Sequence, residues 1–150
     1  MRSIAAWTSS DVGSAAAGAC IGTGDSTNRQ VQIGITNGND DPGDQSAGAG
    51  ALQSNGTGAL IFTNAAFNLA DDDDEGRVGA RTFTLGGANT DDNEIVGAII
   101  DNAGTQGGTS PTAPDNTVSL VKDDAGKWIL SGTNTFTGGV TVNDGTLLVN

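Results

Sequence analysis

In residues 120–150, LVKDDAGKWILSGTNTFTGGVTVNDGTLLVN, short apolar alternations follow one another, separated only by turns rich in Gly, Asn, Asp and Thr. Val118 and Leu120, Trp128 and Leu130, Val140 and Val142, and Leu147 and Val149 each stand two apart, the period of a strand with one buried face. The separators Asp123-Asp124-Ala125-Gly126, Ser131-Gly132-Thr133-Asn134 and Asn143-Asp144-Gly145 tolerate positive φ or bond their own backbone, so each permits a tight change of direction. Such punctuation excludes a helix and describes one coil of a β-solenoid.

The stretch resembles the autotransporter-associated β-strand repeat, or passenger-associated repeat, of type V secretion passengers and other large bacterial surface proteins. Its pattern runs roughly L-x-K-x-G-x-G-x-W-x-L-S-G-x-N-T-Y-T-G-x-T-x-V-x-x-G-T-L-x-V. The matching positions are Leu120, Lys122, Gly126, Trp128, Leu130, Ser131, Gly132, Asn134, Thr135, Thr137, Gly138, Val142, Gly145, Thr146, Leu147 and Val149. Asp124 stands where the family usually has Gly, and Phe136 replaces the usual Tyr. The resemblance implies a right-handed parallel β-helix, a crossover hand that general chain geometry also favours.

Residues 29–119 read as degenerate coils of the same kind, and residues 1–28 as an irregular or capping segment. Arg81-Thr82-Phe83-Thr84-Leu85-Gly86 echoes Arg29-Gln30-Val31-Gln32-Ile33-Gly34, and Gly58-Ala59-Leu60-Ile61-Phe62-Thr63-Asn64 echoes Gly126-Lys127-Trp128-Ile129-Leu130-Ser131-Gly132. The spacing is unequal, as in a decayed repeat. Only 35% of the 150 residues are hydrophobic and 4% aromatic, too little for a rounded core and suited to a thin one stacked in about five or six coils. A Gly-rich β-sandwich is the competing all-β reading.

Residues 1–19 lack an uninterrupted apolar core and so do not form a signal peptide. Ala17-Gly18-Ala19-Cys20 faintly resembles a lipoprotein cleavage box but has no hydrophobic segment before it, and Cys20 reads more simply as a small buried hydrophobe. An export signal is therefore expected upstream of Met1. The sequence halts where another coil would begin, so the chain is expected to be a fragment of something longer or to meet its next rung on a partner. A single cysteine cannot form an internal disulfide, and no apolar run is long enough for a transmembrane helix.

Six basic against eighteen acidic residues give a net charge of −12, which opposes nucleic-acid phosphate and anionic membranes. Asp71, Asp72, Asp73, Asp74 and Glu75 form the densest run and are the candidate metal ligands. Calcium takes six to eight oxygens, but adjacent carboxylates point apart and the nonapeptide calcium repeat is absent. A solvated loop is the simpler reading, with weak Ca2+ binding the alternative. Asp91, Asp92 and Glu94 raise a polysaccharide-acting alternative, since glycosidic cleavage uses paired carboxylates. With no His in the chain, His-based acid/base chemistry, catalytic triads and ordinary zinc sites are excluded. Gly22-Thr23-Gly24 and Gly48-Ala49-Gly50 lack the flanking pattern of a phosphate loop and read as turns. The Gly104 to Pro114 stretch reads as an excursion between strands.

Trp128 is expected to stack between coils, Lys122 to blunt an exposed strand edge, and Asn134 and Thr135 to sit at a bend and bond their equivalents in the next coil. The reading is a non-catalytic stalk or passenger segment, extracellular or at the cell surface, anchored to an outer membrane through a part outside this chain. Its expected partners are adjacent coils of one longer polypeptide and a surface carbohydrate or protein ligand. The alternatives are a β-helix enzyme fragment and a calcium- or carbohydrate-binding adhesin module.

Overall fold

The computed structural model describes residues 16–20 (backbone only), 23–28, 31, 49–65, 67, 80–101 and 117–150. The Asp71 to Glu75 run, the Gly104 to Pro114 stretch and the expected burial of Cys20 lie outside the described residues. Every described element is a strand: β1 Ala16–Cys20, β2 Asp25–Thr27, β3 Ala49–Ser54, β4 Leu60–Phe62, β5 Arg81–Gly86, β6 Asn93–Ile95, β7 Val118–Lys122, β8 Lys127–Leu130, β9 Val140–Val142 and β10 Thr146–Val149.

The odd strands form one five-stranded sheet in the order β1-β3-β5-β7-β9, and the even strands a second in the order β10-β8-β6-β4-β2. All pairings are parallel. The chain thus visits the two sheets alternately, and each pass of two strands lies beside the one before it. Parallel neighbours need a long connection between them, and the excursion through the other sheet supplies it.

Register carries like side chains into columns. Gly50, Phe83, Leu120 and Val140 are successive partners in the first sheet, as are Leu52, Leu85, Lys122 and Val142. In the second sheet Phe62, Ile95, Leu130 and Val149 form one column, and Asn93, Trp128 and Leu147 another. Leu52, Phe62, Phe83, Leu85, Ile95, Leu120, Trp128 and Leu130 from these columns are buried and belong to one apolar core with Phe67 and Ile99. Phe67 meets Phe62 edge-on at 5.2 Å and Phe83 at 5.6 Å between ring centroids. These spacings suit the aromatic quadrupole.

The step between passes is uneven. It runs from Gly50 to Phe83 and from Phe83 to Leu120 in the middle of the first sheet, but only from Leu120 to Val140 at the last pass. The short step belongs to the stretch whose turns are most compact in sequence.

Three sequence expectations change. The segment 1–28, read as irregular or capping, contains β1 and β2, each paired to the following pass. Of the echo at Arg29 to Gly34, only Val31 is described. Its amide bonds the Phe67 carbonyl, so it lies beside Phe67 and not in a column with β5. Ala49 and Gly50, read within a turn, open β3. The other echo holds in register: Leu60, Ile61 and Phe62 lie two passes from Trp128, Ile129 and Leu130, with β6 between them.

Candidate functional site

A linked set of described polar side chains gathers where the chain turns from the first sheet to the second. In the middle of that column, Asn93 is fully buried. Its Oδ1 accepts from Ser54 Oγ at 2.8 Å and from the Leu60 amide at 3.0 Å, both in the preceding pass. Its Nδ2 donates forward to the Lys127 carbonyl at 2.8 Å and locally to Asn89 Oδ1 at 3.1 Å. Asn89 Nδ2 in turn donates to the Gly56 carbonyl at 2.7 Å. One amide therefore ties three consecutive passes, satisfying polar groups whose burial would otherwise be costly.

Trp128 lies beside Asn93 in register and is completely buried. Its indole Nε1 donates to the Gly86 carbonyl at 3.0 Å, so the ring fills the interior without stranding its polar atom.

The next turn depends on Asp124, whose φ of 61° lies in the left-handed region. Short polar residues accept this conformation more readily than others, which explains how Asp stands where Gly is usual in the resembled pattern. Its Oδ2 also accepts from the Gly87 amide at 2.8 Å, a bond Gly could not make.

Lys122 differs from its expected role. Instead of blunting an exposed edge, it is buried. Its Nζ donates to the carbonyls of Asp123 at 2.5 Å, Asp124 at 2.6 Å and Asp144 at 3.2 Å. Burial lowers the ammonium's proton affinity, while the carboxylates of Asp124, Asp144 and Asp123 oppose that change. Space for the head comes from Gly145, with φ of 73°, because a Cβ there would lie 2.7 Å from Nζ.

At the opposite bend, Asn134 Oδ1 accepts from the Ile99 amide at 2.9 Å and its Nδ2 donates to the Gly132 carbonyl at 2.8 Å. Asn134 therefore bonds backbone of its own and the preceding pass, where the sequence reading placed a bond to an equivalent side chain. The Thr135 amide donates to the Ile99 carbonyl at 3.0 Å. Asp101, which the sequence gave no reason to single out, accepts from the amides of Val118 at 2.8 Å and Thr137 at 3.0 Å, and from Thr137 Oγ1 at 2.7 Å.

Of the remaining repeat positions, Leu120 and Leu130 are in the core and Gly126 is buried, while Phe136 and Leu147 are partly buried against it. Gly132 is half-buried, and Gly138, Val142 and Val149 are exposed. Of the carboxylates weighed for catalysis, Asp92 pairs with Lys127 and Glu94 accepts from Ser131 Oγ. Among the described residues no three His, Cys, Asp or Glu side chains are grouped to hold a metal.

The arrangement binds pass to pass. Residues 120–149 match the family model described as the passenger-associated-transport-repeat. The chain is 35% identical over 129 residues to the Adhesin BmaC autotransporter of Brucella suis biovar 1 (strain 1330). That alignment covers 86% of this chain and spans 3% of the length of the relative. No solved structure matches the chain.

Proposed function

We propose, from the premise that residues 120–149 are a passenger-associated-transport-repeat, that the chain is a segment of a right-handed parallel β-helix serving as a non-catalytic stalk in the passenger of a secreted or cell-surface protein. The observation that carries this reading is the alternation of the chain between two parallel sheets in continuous register. Such a chain grows by adding like units, and each unit buries the apolar face of its neighbour. The partners in this reading are further coils of the same long polypeptide, with outer-membrane anchoring elsewhere in it.

The adhesin name of the relative favours a second possibility, in which the segment also contacts a surface carbohydrate or protein. Calcium at Asp71 to Glu75 belongs to that variant.

Antibodies raised against residues 1–150 test the location on intact cells that make the protein. Surface labelling abolished by external protease is the expected result; labelling that requires permeabilised cells overturns the stalk reading. Soluble fragments released from a panel of surface polysaccharides incubated with the purified chain would overturn its non-catalytic part.

A further inference from the structure

We propose that Asn55 is a self-modifying residue: the backbone nitrogen of Gly56 attacks its side-chain amide to give a succinimide, which water opens to aspartate or isoaspartate. Asn55 follows β3 directly and is exposed, in the turn that leads to β4. Gly56 has no Cβ to hinder a close approach of its nitrogen. Among the described residues nothing bonds the Gly56 amide or Asn55 Nδ2, so both the attacking and the departing nitrogen are unengaged. The carbonyl between them is not. Asn55 Oδ1 accepts from the Ala88 amide of the next pass at 3.0 Å, across 33 residues of sequence. A donor aimed at that oxygen stands where negative charge develops when Cγ is attacked, so the stacked neighbour acts on Asn55 as an oxyanion hole does.

The step needs only solvent. A base takes the Gly56 amide proton, the bond from that nitrogen to Asn55 Cγ forms, and the bond from Cγ to Nδ2 breaks. Nδ2 takes a proton from water and departs as ammonia. Water then adds to one of the two imide carbonyls. Addition at Cγ restores the backbone with an aspartate side chain; addition at the backbone carbonyl leaves the main chain running through Cβ and Cγ, one methylene longer. The turn has no room for that methylene. A Cβ at Gly58 would overlap the Thr23 carbonyl of the pass before, and the Gly56 carbonyl accepts from Asn89 Nδ2 at 2.7 Å in the pass after. Isoaspartate therefore withdraws partners from Ala88 and Asn89 together, and Asn89 is bonded to the buried Asn93. Modification loosens the junction between the second and third described passes, a local opening below global unfolding.

The test incubates the full 150-residue chain in mildly alkaline buffer, folded and in urea, and follows the amide-to-acid mass gain of the peptide holding Asn55. Asn28, Asn64, Asn93, Asn134 and Asn143, each followed by a residue with a side chain, are internal references. Asn55 is expected to convert in the folded chain at least as fast as in urea, ahead of every reference, and Gly56→Ala to slow it about tenfold or more. Conversion of Asn55 confined to the urea sample overturns the proposal, because the fold would then shield the residue. Conversion of the references at the same rate overturns it as well. Hydrogen exchange on the aged, folded chain reads the consequence: the amides of Ala88 and Asn89 are expected to exchange about tenfold faster than in fresh protein, with Lys127 and Ser131 unchanged. Unaltered exchange at Ala88 and Asn89 in fully converted protein refutes the loosening.

Discussion

Trp128 and Asn93 are register partners that hold adjacent passes by different means. The indole contributes volume, and Trp128→Ala is expected to lower unfolding free energy by about 3–5 kcal/mol in a urea titration. Trp128→Phe retains most of the packing but leaves the Gly86 carbonyl without its donor, for a smaller loss of about 1–2 kcal/mol. Asn93→Leu fits a similar volume, yet it deprives Ser54, the Leu60 amide and the Lys127 carbonyl of their partner, so at least about 2 kcal/mol is expected to be lost by the same measurement. The two residues were not equally legible in the sequence. Trp128 is marked by its two-residue spacing from Leu130, because alternation reports which side chains share a face. Asn93 resembles any turn-forming Asn in such a chain, and its partner Ser54 lies 39 residues earlier, beyond the reach of local pattern. Lys122 was misread for a related reason. Charge suggests solvent, and only the carbonyls of two successive turns show where the ammonium goes.

At the scale of the element, turns decide how passes meet. Asp124 combines a left-handed backbone with an acceptor for Gly87, and its substitutions separate these roles. Asp124→Asn keeps both and is expected to change the melting temperature little. Asp124→Gly relieves the backbone but forfeits a charge-assisted bond, for a net loss of about 0.5–2 kcal/mol in thermal unfolding. The stretch between β6 and β7 gives a second prediction. In the last pass the chain goes from Phe136 through Thr137 to Gly138, and deletion of residues 102–116 would join Asp101 through Thr117 to Val118 on an equivalent path. The Asp101 carboxylate already accepts from the Val118 amide. The deleted chain is expected to unfold cooperatively in denaturant, with stability within about 1 kcal/mol of the parent, since the length of a connection enters closure entropy only logarithmically. This unevenness also limited what the sequence conveyed. Where turns are compact, as in residues 120–150, alternation alone marks the strands. Longer steps upstream misaligned the Arg29 to Gly34 echo, although the Leu60 to Phe62 echo fell in register with Trp128 to Leu130.

Across the whole molecule, eighteen acidic side chains face only six basic ones. A like-charged stack repels itself, so added salt is expected to raise its melting temperature. Going from about 10 mM to about 150 mM NaCl shortens the screening length from about 30 Å to about 8 Å, and a rise of a few degrees is expected by calorimetry. A fall over that range would place attractive ion pairs ahead of repulsion. The unequal step between passes has a different consequence, one of reach. Strands in a sheet lie about 4.8 Å apart however much chain connects them. The step from Leu120 to Val140 therefore advances the stack as far as the longer step from Phe83 to Leu120. A polymer assembled from passes of the short kind would extend nearly twice as far for each amino acid made, and the additional residues of the long passes add nothing to its length.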